Sequence, residues 1–385
     1  MVPEGWVKIR LGSIAELQRG FDLPSSQRVD GCVPIVSSGG VTGYHNEAKS
    51  KAPGVVTGRY GSIGDVFYLE EDYWPLNTSL WVKDFHGNHE KFIYYLLSNF
   101  DFNKFSDKTG VPGVNRNDLH AVKVGLPPLP EQKKIAKILS TWDKAITSTE
   151  QLLANSQQQK MALMQQLLTG KKRLLDSNGV RFSGEWITIP LEKICHINPK
   201  RPPEPKDGLV SFIPMEFVSE DAKLLSTSER FYTEVSKGFT SFLDGDTLIA
   251  KITPCFENGK GCYVQGMKNG IGFGSTEFHV LRANKLSSPL YLYYMTNTSE
   301  FRIKGEANMQ GSAGQKRVTT DYLKSLKVTV PKQVEEQQKI AAVLSTADQE
   351  ISALQQKLAA LKQEKKALMQ QLLTGKRRVK VEAAA

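Results

Sequence analysis

Two stretches of the chain share one hydrophobic rhythm. From Glu131 to Gly170, and again from Glu336 to Gly375, apolar side chains recur at alternating steps of four and three residues, the spacing of a helical seam. In the first stretch the seam holds Ile135, Leu139, Trp142, Ile146, Leu153, Leu163 and Leu167, with Thr149, Ser156 and Lys160 between them. The second is cleaner: Ile340, Leu344, Ala347, Ile351, Leu354, Leu358, Leu361, Leu368 and Leu372, broken only by Lys365. The two align without a gap at a constant offset of 205 residues. Both open on Glu-Gln and close on Leu-Met-Gln-Gln-Leu-Leu-Thr-Gly, and basic clusters follow at Lys171 to Arg173 and Lys376 to Arg378. Acid at the start, with glycine and cations at the end, suits the helix dipole and a glycine C-cap. Residues 131–168 predict a rod of about 57 Å at 1.5 Å per residue. Such a rod cannot bury its own seam. Two equivalent rods in one chain therefore predict an antiparallel coiled coil with a pseudo-twofold axis and a head at each end; the other reading is two independent helices, each packed on its own domain.

Outside the stems the rhythm changes. Apolar and β-branched runs at Val33 to Val36, Gly54 to Thr57, Asp65 to Tyr68, Leu80 to Val82 and Ala121 to Val124 alternate with Gly, Pro and Asn turns, which predicts strands, and Lys91 to Ser98 predicts a helix. The second interval repeats the scheme, with strands at Val210 to Ile213, Thr247 to Ile252, Gly261 to Val264, Phe278 to Leu281 and Leu326 to Val330, and a helix over Pro289 to Asn297. Trp6 to Leu11 echoes Trp186 to Leu191 at an offset of 180, so the second interval is 25 residues longer. The chain reads as two mixed α/β (α+β) heads, residues 1–130 and 179–335, alternating with spacer helices at 131–178 and 336–385. Alike stems with diverged heads suggest one scaffold whose two heads touch different things.

Composition adds class and compartment. A chain of 385 residues that is 40% hydrophobic and 23% charged fits a soluble protein of two or three domains. No apolar run is long enough for a bilayer and the start lacks a signal pattern, which predicts an intracellular protein. The formal net charge of +10 is uneven: −1 over 1–130, +4 over 131–178, +3 over 179–335 and +4 over 336–385. The heads would therefore need local donors to hold nucleic acid.

Glycine-rich loops supply such donors. Lys108 to Arg116 and Gln310 to Arg317 precede the same returning strand in the two heads, and the loops at 57–62 and 251–253, then 77–79 and 275–277, are similarly placed. The candidate contacts are Arg59, Tyr60, Ser62, Asn77, Thr78, Lys108, Asn115 and Arg116 in the first head. In the second they are Lys251, Thr253, Asn258, Lys260, Thr276, Gln315, Lys316 and Arg317. Arg and Lys reach guanine, Asn and Gln pair with adenine, and hydroxyls and amides hold phosphates. Solvated loops without a ligand would carry the same residues. Gly58, Gly61 and Gly64 fit neither a Walker loop nor a dinucleotide fingerprint, and read as a turn-rich strand loop.

Catalytic signatures are weak. Adenine methylation calls for Asn or Asp followed by Pro-Pro-aromatic, and the nearest run, Asn198-Pro199-Lys200, lacks the ring. Asp244, Asp246 and Lys251 come closest to a metal nuclease, at a spacing generic for a turn into a strand. His86 and His89 read as a solvated turn. The four cysteines, without a CxxC pair, read as reduced, buried thiols rather than a disulfide scaffold or zinc ribbon. No metal is expected.

Several motifs then converge: Pro3-Glu4-Gly5-Trp6 with Leu11-Gly12, Ser37-Ser38-Gly39-Gly40 with Gly43-Tyr44-His45-Asn46, Thr57 to Gly64, Trp74 to Thr78, Pro128 to Gln132, and the paired stem endings. In this order they resemble the DNA specificity subunit of type I restriction-modification systems, over the entire chain. The resemblance implies two target-recognition domains, each reading half of an asymmetric bipartite DNA target through the major groove, with paired helices as a ruler between half-sites. It implies double-stranded DNA, two modification subunits and restriction subunits as partners. S-adenosylmethionine for adenine methylation, and ATP with Mg for translocation and cutting, are expected in those subunits and no cofactor in this chain. A non-catalytic, cytoplasmic, prokaryotic reader without a membrane partner follows, with room for self-association of the isolated chain. Two other readings stay open: a coiled-coil adaptor that does not touch DNA, and a self-contained restriction or methylation enzyme.

Overall fold

The computed structural model describes residues 2–105, 113–312 and 314–381. They form two compact units, 1–151 with 355–385 and 152–354, each holding one head and a part of both stem helices.

The first head comprises β1 (Val7–Arg10), β2 (Glu16–Arg19), β3 (Val33–Ser37), β4 (Gly40–His45), β5 (Gly54–Gly58), β6 (Val66–Leu69), β7 (Trp74–Pro75), β8 (Ser79–Asp84), α1 (Glu90–Ser98), α2 (Arg116–Ala121) and β9 (Lys123–Leu126). Strands β2-β8-β5-β6 form one antiparallel sheet, β4-β3-β7 a second with β3 and β7 parallel, and β1 pairs with β9. Strand β5 is buried along its whole length, so it reads as a continuous apolar run rather than an alternating one. Helix α1 lays Phe92, Ile93, Leu96 and Leu97 into a core shared with Leu11, Leu17, Val55, Leu80 and Val82. That core is closed by stem residues: Ile135 and Leu139 from α3 (Leu129–Leu167), and Leu372 and the following Leu373 at the end of the second stem.

The second head repeats the plan. Its elements are β10 (Trp186–Pro190), β11 (Cys195–Ile197), β12 (Leu209–Ile213), β13 (Ser228–Phe231), α4 (Tyr232–Val235), β14 (Thr240–Leu243), β15 (Thr247–Ala250), β16 (Gly261–Tyr263), β17 (Ile271–Gly274), β18 (Phe278–Ala283), α5 (Pro289–Thr296), α6 (Ser299–Glu306), α7 (Thr320–Ser325) and β19 (Lys327–Pro331). The sheet β11-β18-β15-β16 matches β2-β8-β5-β6 strand for strand, and β10 pairs with β19 as β1 does with β9. The second sheet, β13-β12-β17-β14, gains an edge strand but keeps one parallel pair, β12 with β17. Its main core takes Leu167 and Leu168 from the first stem, and Ile340 and Leu344 from α8 (Val334–Leu372).

Each stem helix has 39 residues, two longer at its start than the periodicity predicts, and Gly170 and Gly375 adopt the left-handed φ of a C-cap, 70° and 72°. Within each unit the two helices run antiparallel. In the first, Lys365 meets Asp143 and Lys362 meets Glu150; in the second, Lys160 meets Asp348 and Ser156 Oγ donates to Glu350. Ile135, Leu139, Leu167, Ile340, Leu344, Ile351 and Leu372 are buried, while Trp142, Ile146, Leu153, Leu163, Leu354, Leu358, Leu361 and Leu368 are half-buried. Ile135, Leu139, Leu167, Ile340, Leu344 and Leu372 are buried in the head cores, whereas Ile351 is buried outside them.

Some expectations need correction. Ala121 ends α2, and the returning strand starts only at Lys123, because Asn115 caps a short helix there. The strand expected to reach Ile252 stops at Ala250. Cys195 and Cys262 are buried, but Cys32 is exposed in a loop and Cys255 half-buried; all four are free. His89 is no solvated turn residue: its Nδ1 accepts from the Phe92 N–H as the N-cap of α1.

Candidate nucleic-acid interface

In the first head four loops meet at one rim. The backbone N–H groups of Arg59 and Tyr60, just after β5, donate to the Thr78 carbonyl (2.9 and 3.2 Å), and Val114 N–H donates to the Arg59 carbonyl (2.9 Å). Ser38 N–H donates to Thr78 Oγ1 (3.4 Å). Two glycines permit this crowding: a Cβ on Gly58 would lie 1.8 Å from the Ser62 carbonyl oxygen, and one on Gly113 would lie 2.5 Å from the Tyr60 ring. The rim presents Tyr60 and Ser62 exposed, with the Arg59 guanidinium 4.5 Å from the Tyr60 ring centroid. Among the described residues no carboxylate pairs with Arg59. The Asn77 amide donates to Asp22, which also holds Arg19. Asn115 Oδ1 accepts from the Asn117 N–H (2.9 Å), so it caps α2 while Arg116 stands exposed. Lys108 lies outside the described residues.

The second head builds the same backbone frame and dresses it differently. Lys251 N–H donates to the Glu277 carbonyl and Val318 N–H to the Lys251 carbonyl, each at 2.9 Å, and Ile252 pairs with Arg317 as Tyr60 pairs with Gly113. Lys251 therefore stands where Arg59 stands, Glu277 where Thr78 stands, and Arg317 where Gly113 stands. The Arg317 guanidinium grips Glu277 through Nε and Nη2 (3.0 and 2.9 Å), which holds that carboxyl below the usual carboxylate range. Thr253 N–H donates to the Lys316 carbonyl (3.0 Å), while Thr276, Gln315 and Lys316 are exposed. Asn258, Lys260 and the Thr253 hydroxyl are spent internally, on Glu220, the Met215 carbonyl and Glu257.

Lys251 also lines a polar cavity of about 260 Å³ with Asn198, Arg201, Thr240 and Ser241. Two cations and two hydroxyls form the donor set that suits a phosphate. Arg201, Thr240 and Ser241 escaped sequence reasoning; the basic pair Lys200-Arg201 among prolines was the available signal.

Polar clusters join head to stem, and each occurs twice. Arg378 donates to both oxygens of buried Glu131 (2.8 and 2.9 Å), over the Trp6 ring; Arg173 does the same to Glu336 (2.5 and 2.8 Å), over Trp186. Gln132 Oε1 accepts from the His89 N–H and its amide donates to the Pro127 carbonyl; Gln337 serves Ser288 and Pro331 alike. Tyr95 donates to Asp143, which Lys365 neutralises; Tyr294 donates to Asp348, which Lys160 neutralises. Burial and those carboxylates push both phenols well above their ordinary range. The lysines that interrupt the two seams thus serve the head–stem joints.

The family profile described as "Type I restriction modification DNA specificity domain" matches residues 3–155 and 184–363. The chain belongs to this family. It is 40% identical over 156 residues to the Type I restriction enzyme EcoEI specificity subunit of Escherichia coli, and 41% over 160 residues to that of EcoAI. Each match covers 40% of this chain and 26% of the relative, so the chain spans about a quarter of those proteins. The MjaVIII specificity subunit of Methanocaldococcus jannaschii is 25% identical over 293 residues, 71% of this chain and 66% of that one. Among solved structures, the S subunit of a type I restriction-modification system from M. genitalium shares the fold at a TM-score of 0.63 and 13% identity, over 97% of this chain and 96% of that one. A second, from work on complex assembly in a type I R-M system, has a TM-score of 0.55 at 16% identity, over 98% and 100%.

For a member of this specificity family, the residues nearest to a catalytic signature do structural work. The Asn198 amide donates to His279 Nδ1 (3.1 Å) and Asn198 Oδ1 accepts from the Val280 N–H (3.0 Å). His279 Nε2 in turn donates to the Val318 carbonyl (2.7 Å), and burial keeps the ring neutral. Asp246 is locked to Arg282 and accepts from the Leu243 N–H; Asp244 accepts from the Met267 N–H. No helix of the described residues is long and apolar enough to cross a membrane.

Proposed function

We propose that the chain is the sequence-reading, non-catalytic subunit of a type I restriction-modification complex, in which each head reads one half of a split, asymmetric DNA target. Target-recognition domains at 1–130 and 179–335, with spacers at 131–178 and 336–385, carry the reading. The supporting observation is the pair of rims: one backbone frame holds Arg59, Tyr60 and Ser62 in one head, and Lys251, Lys316 and Arg317 in the other. A shared frame with different donors is what two half-sites of different sequence require. The helix pair sets the half-site spacing, and the duplicated joints make each stem end a repeated platform for a modification subunit, with restriction subunits joining that assembly. S-adenosylmethionine, ATP and Mg belong to those partners.

Binding of duplex DNA by the complex with its modification subunit, followed by fluorescence anisotropy against salt, tests the reading. A reader loses affinity steeply as salt rises, roughly in proportion to the number of phosphates engaged. A coiled-coil adaptor binds no DNA at any salt. Inserting helical residues into both stems is expected to lengthen the gap of the target and leave both half-sites unaltered.

A further inference from the structure

We infer that Arg317 reads a guanine in the half-site of the second head, and that Glu277 is its positioning residue. The inference rests on the proposed DNA-reading role and assigns a base to one side chain. Three observations carry it. The backbone of Arg317 is held from both sides, by the pairing with Ile252 and by reciprocal N–H to carbonyl bonds with Gln310 (2.8 and 2.9 Å). Its side chain is equally fixed, side-on to Glu277 and through Nη1 to the Gln315 carbonyl (3.3 Å). Yet the pair is open to solvent, 40% exposed on the arginine and 26% on the glutamate.

An exposed ion pair contributes little to stability, so ordering a long side chain this fully needs another use. These bonds engage Nε–H and one N–H on each terminal nitrogen, leaving each terminal nitrogen a free N–H. Paired donors of that kind match O6 and N7 of guanine in the major groove. A phosphate fits worse, because the carboxylate offsets the charge of the cation and repels the anion. Lys251, which pairs with no carboxylate among the described residues and lies beside the cavity it shares with Arg201, suits the phosphate better. The first head has Gly113 and Thr78 at the equivalent places, so this device belongs to the second head alone.

The test maps adenine methylation in a methylation-free host that expresses the chain with its modification subunit, as wild type, R317Q, E277Q and K285Q. R317Q is expected to relax one G·C position of one half-site, with discrimination there falling roughly tenfold to hundredfold, and to leave the other half-site intact. E277Q keeps the same preferred guanine with weaker discrimination, and K285Q, an exposed lysine past the end of β18 remote from Glu277, leaves the motif unchanged. Recovery of the intact complex with an unshifted melting temperature shows that the variants fold. An unchanged motif in folded R317Q overturns the inference while the DNA-reading role stands. Relaxation at an A·T position, or in both half-sites, overturns it too. A wild-type complex that writes no motif overturns the reading role and the inference with it.

Discussion

Glu131 with Arg378 and Trp6 in the first unit, and Glu336 with Arg173 and Trp186 in the second, make one buried cluster twice over. The rims do the opposite: Arg59, Thr78 and Gly113 in one head give way to Lys251, Glu277 and Arg317 in the other, on two corresponding backbone hydrogen bonds and one corresponding bridge. Joints tolerate little change because each buries charge that must be paired. Rims tolerate much, since their geometry comes from the main chain and their side chains face water. The molecule thus separates the part that fixes geometry from the part whose side chains differ between the heads.

The joints give the largest expected effects, and they are not quite equal. Arg173 is 21% exposed against 43% for Arg378, so removing its partner strands more buried charge. E336A should cost about 3–5 kcal/mol by urea denaturation, and E131A less, although it also releases the buried Trp6 indole N–H that donates to Glu131 (3.1 Å). Equal losses would show that the joints do not differ as their exposures indicate. At the first rim, Gly58→Ala must displace the Ser62 carbonyl and rebuild the loop that carries Arg59 and Tyr60. Loss of DNA affinity by about tenfold, or 1.4 kcal/mol, together with a lowered melting temperature because the clash is with main chain, is the expected outcome.

A smaller effect distinguishes phosphate contacts from base contacts. K251Q should weaken binding evenly across sequences and reduce the salt slope by about 1. A change of target sequence in that variant would instead make Lys251 a base reader. The smallest effect is the pH dependence that His279 contributes in the second unit. Burial holds His279 below its ordinary 6.5, against the raising influence of the Val318 carbonyl and Glu277, with Lys251 nearby. The unfolded chain therefore takes up the proton first as pH falls. Stability from this group is complete above about pH 6.5 and is lost as pH drops toward the folded value. Thermal melts of H279Q from pH 7 to 5 should flatten that slope; an unchanged slope would assign it to His89 or His120, which burial also depresses.

The stems were legible because a helical seam is a local pattern, and so were β3, β5, β8, β12, β15 and β18, whose apolar runs are covered on both sides. Strands such as β7, with two residues, or the polar edge strand β13, offer no such run. The loops that supply the rims could be seen, but not which donors stay free: Asn115 is taken by a cap and Asn258 by Glu220, a partner 38 residues away. The Glu277–Arg317 pair spans 40 residues and the Glu131–Arg378 pair 247, separations at which sequence spacing carries no geometry.

Expression of the chain with its neighbouring modification subunit in a methylation-free host, with every modified adenine mapped across the genome, tests the central claim most directly. The account predicts one split motif, with two dissimilar half-sites and a fixed gap. A palindromic or continuous motif, or no methylation from an intact complex, would contradict it.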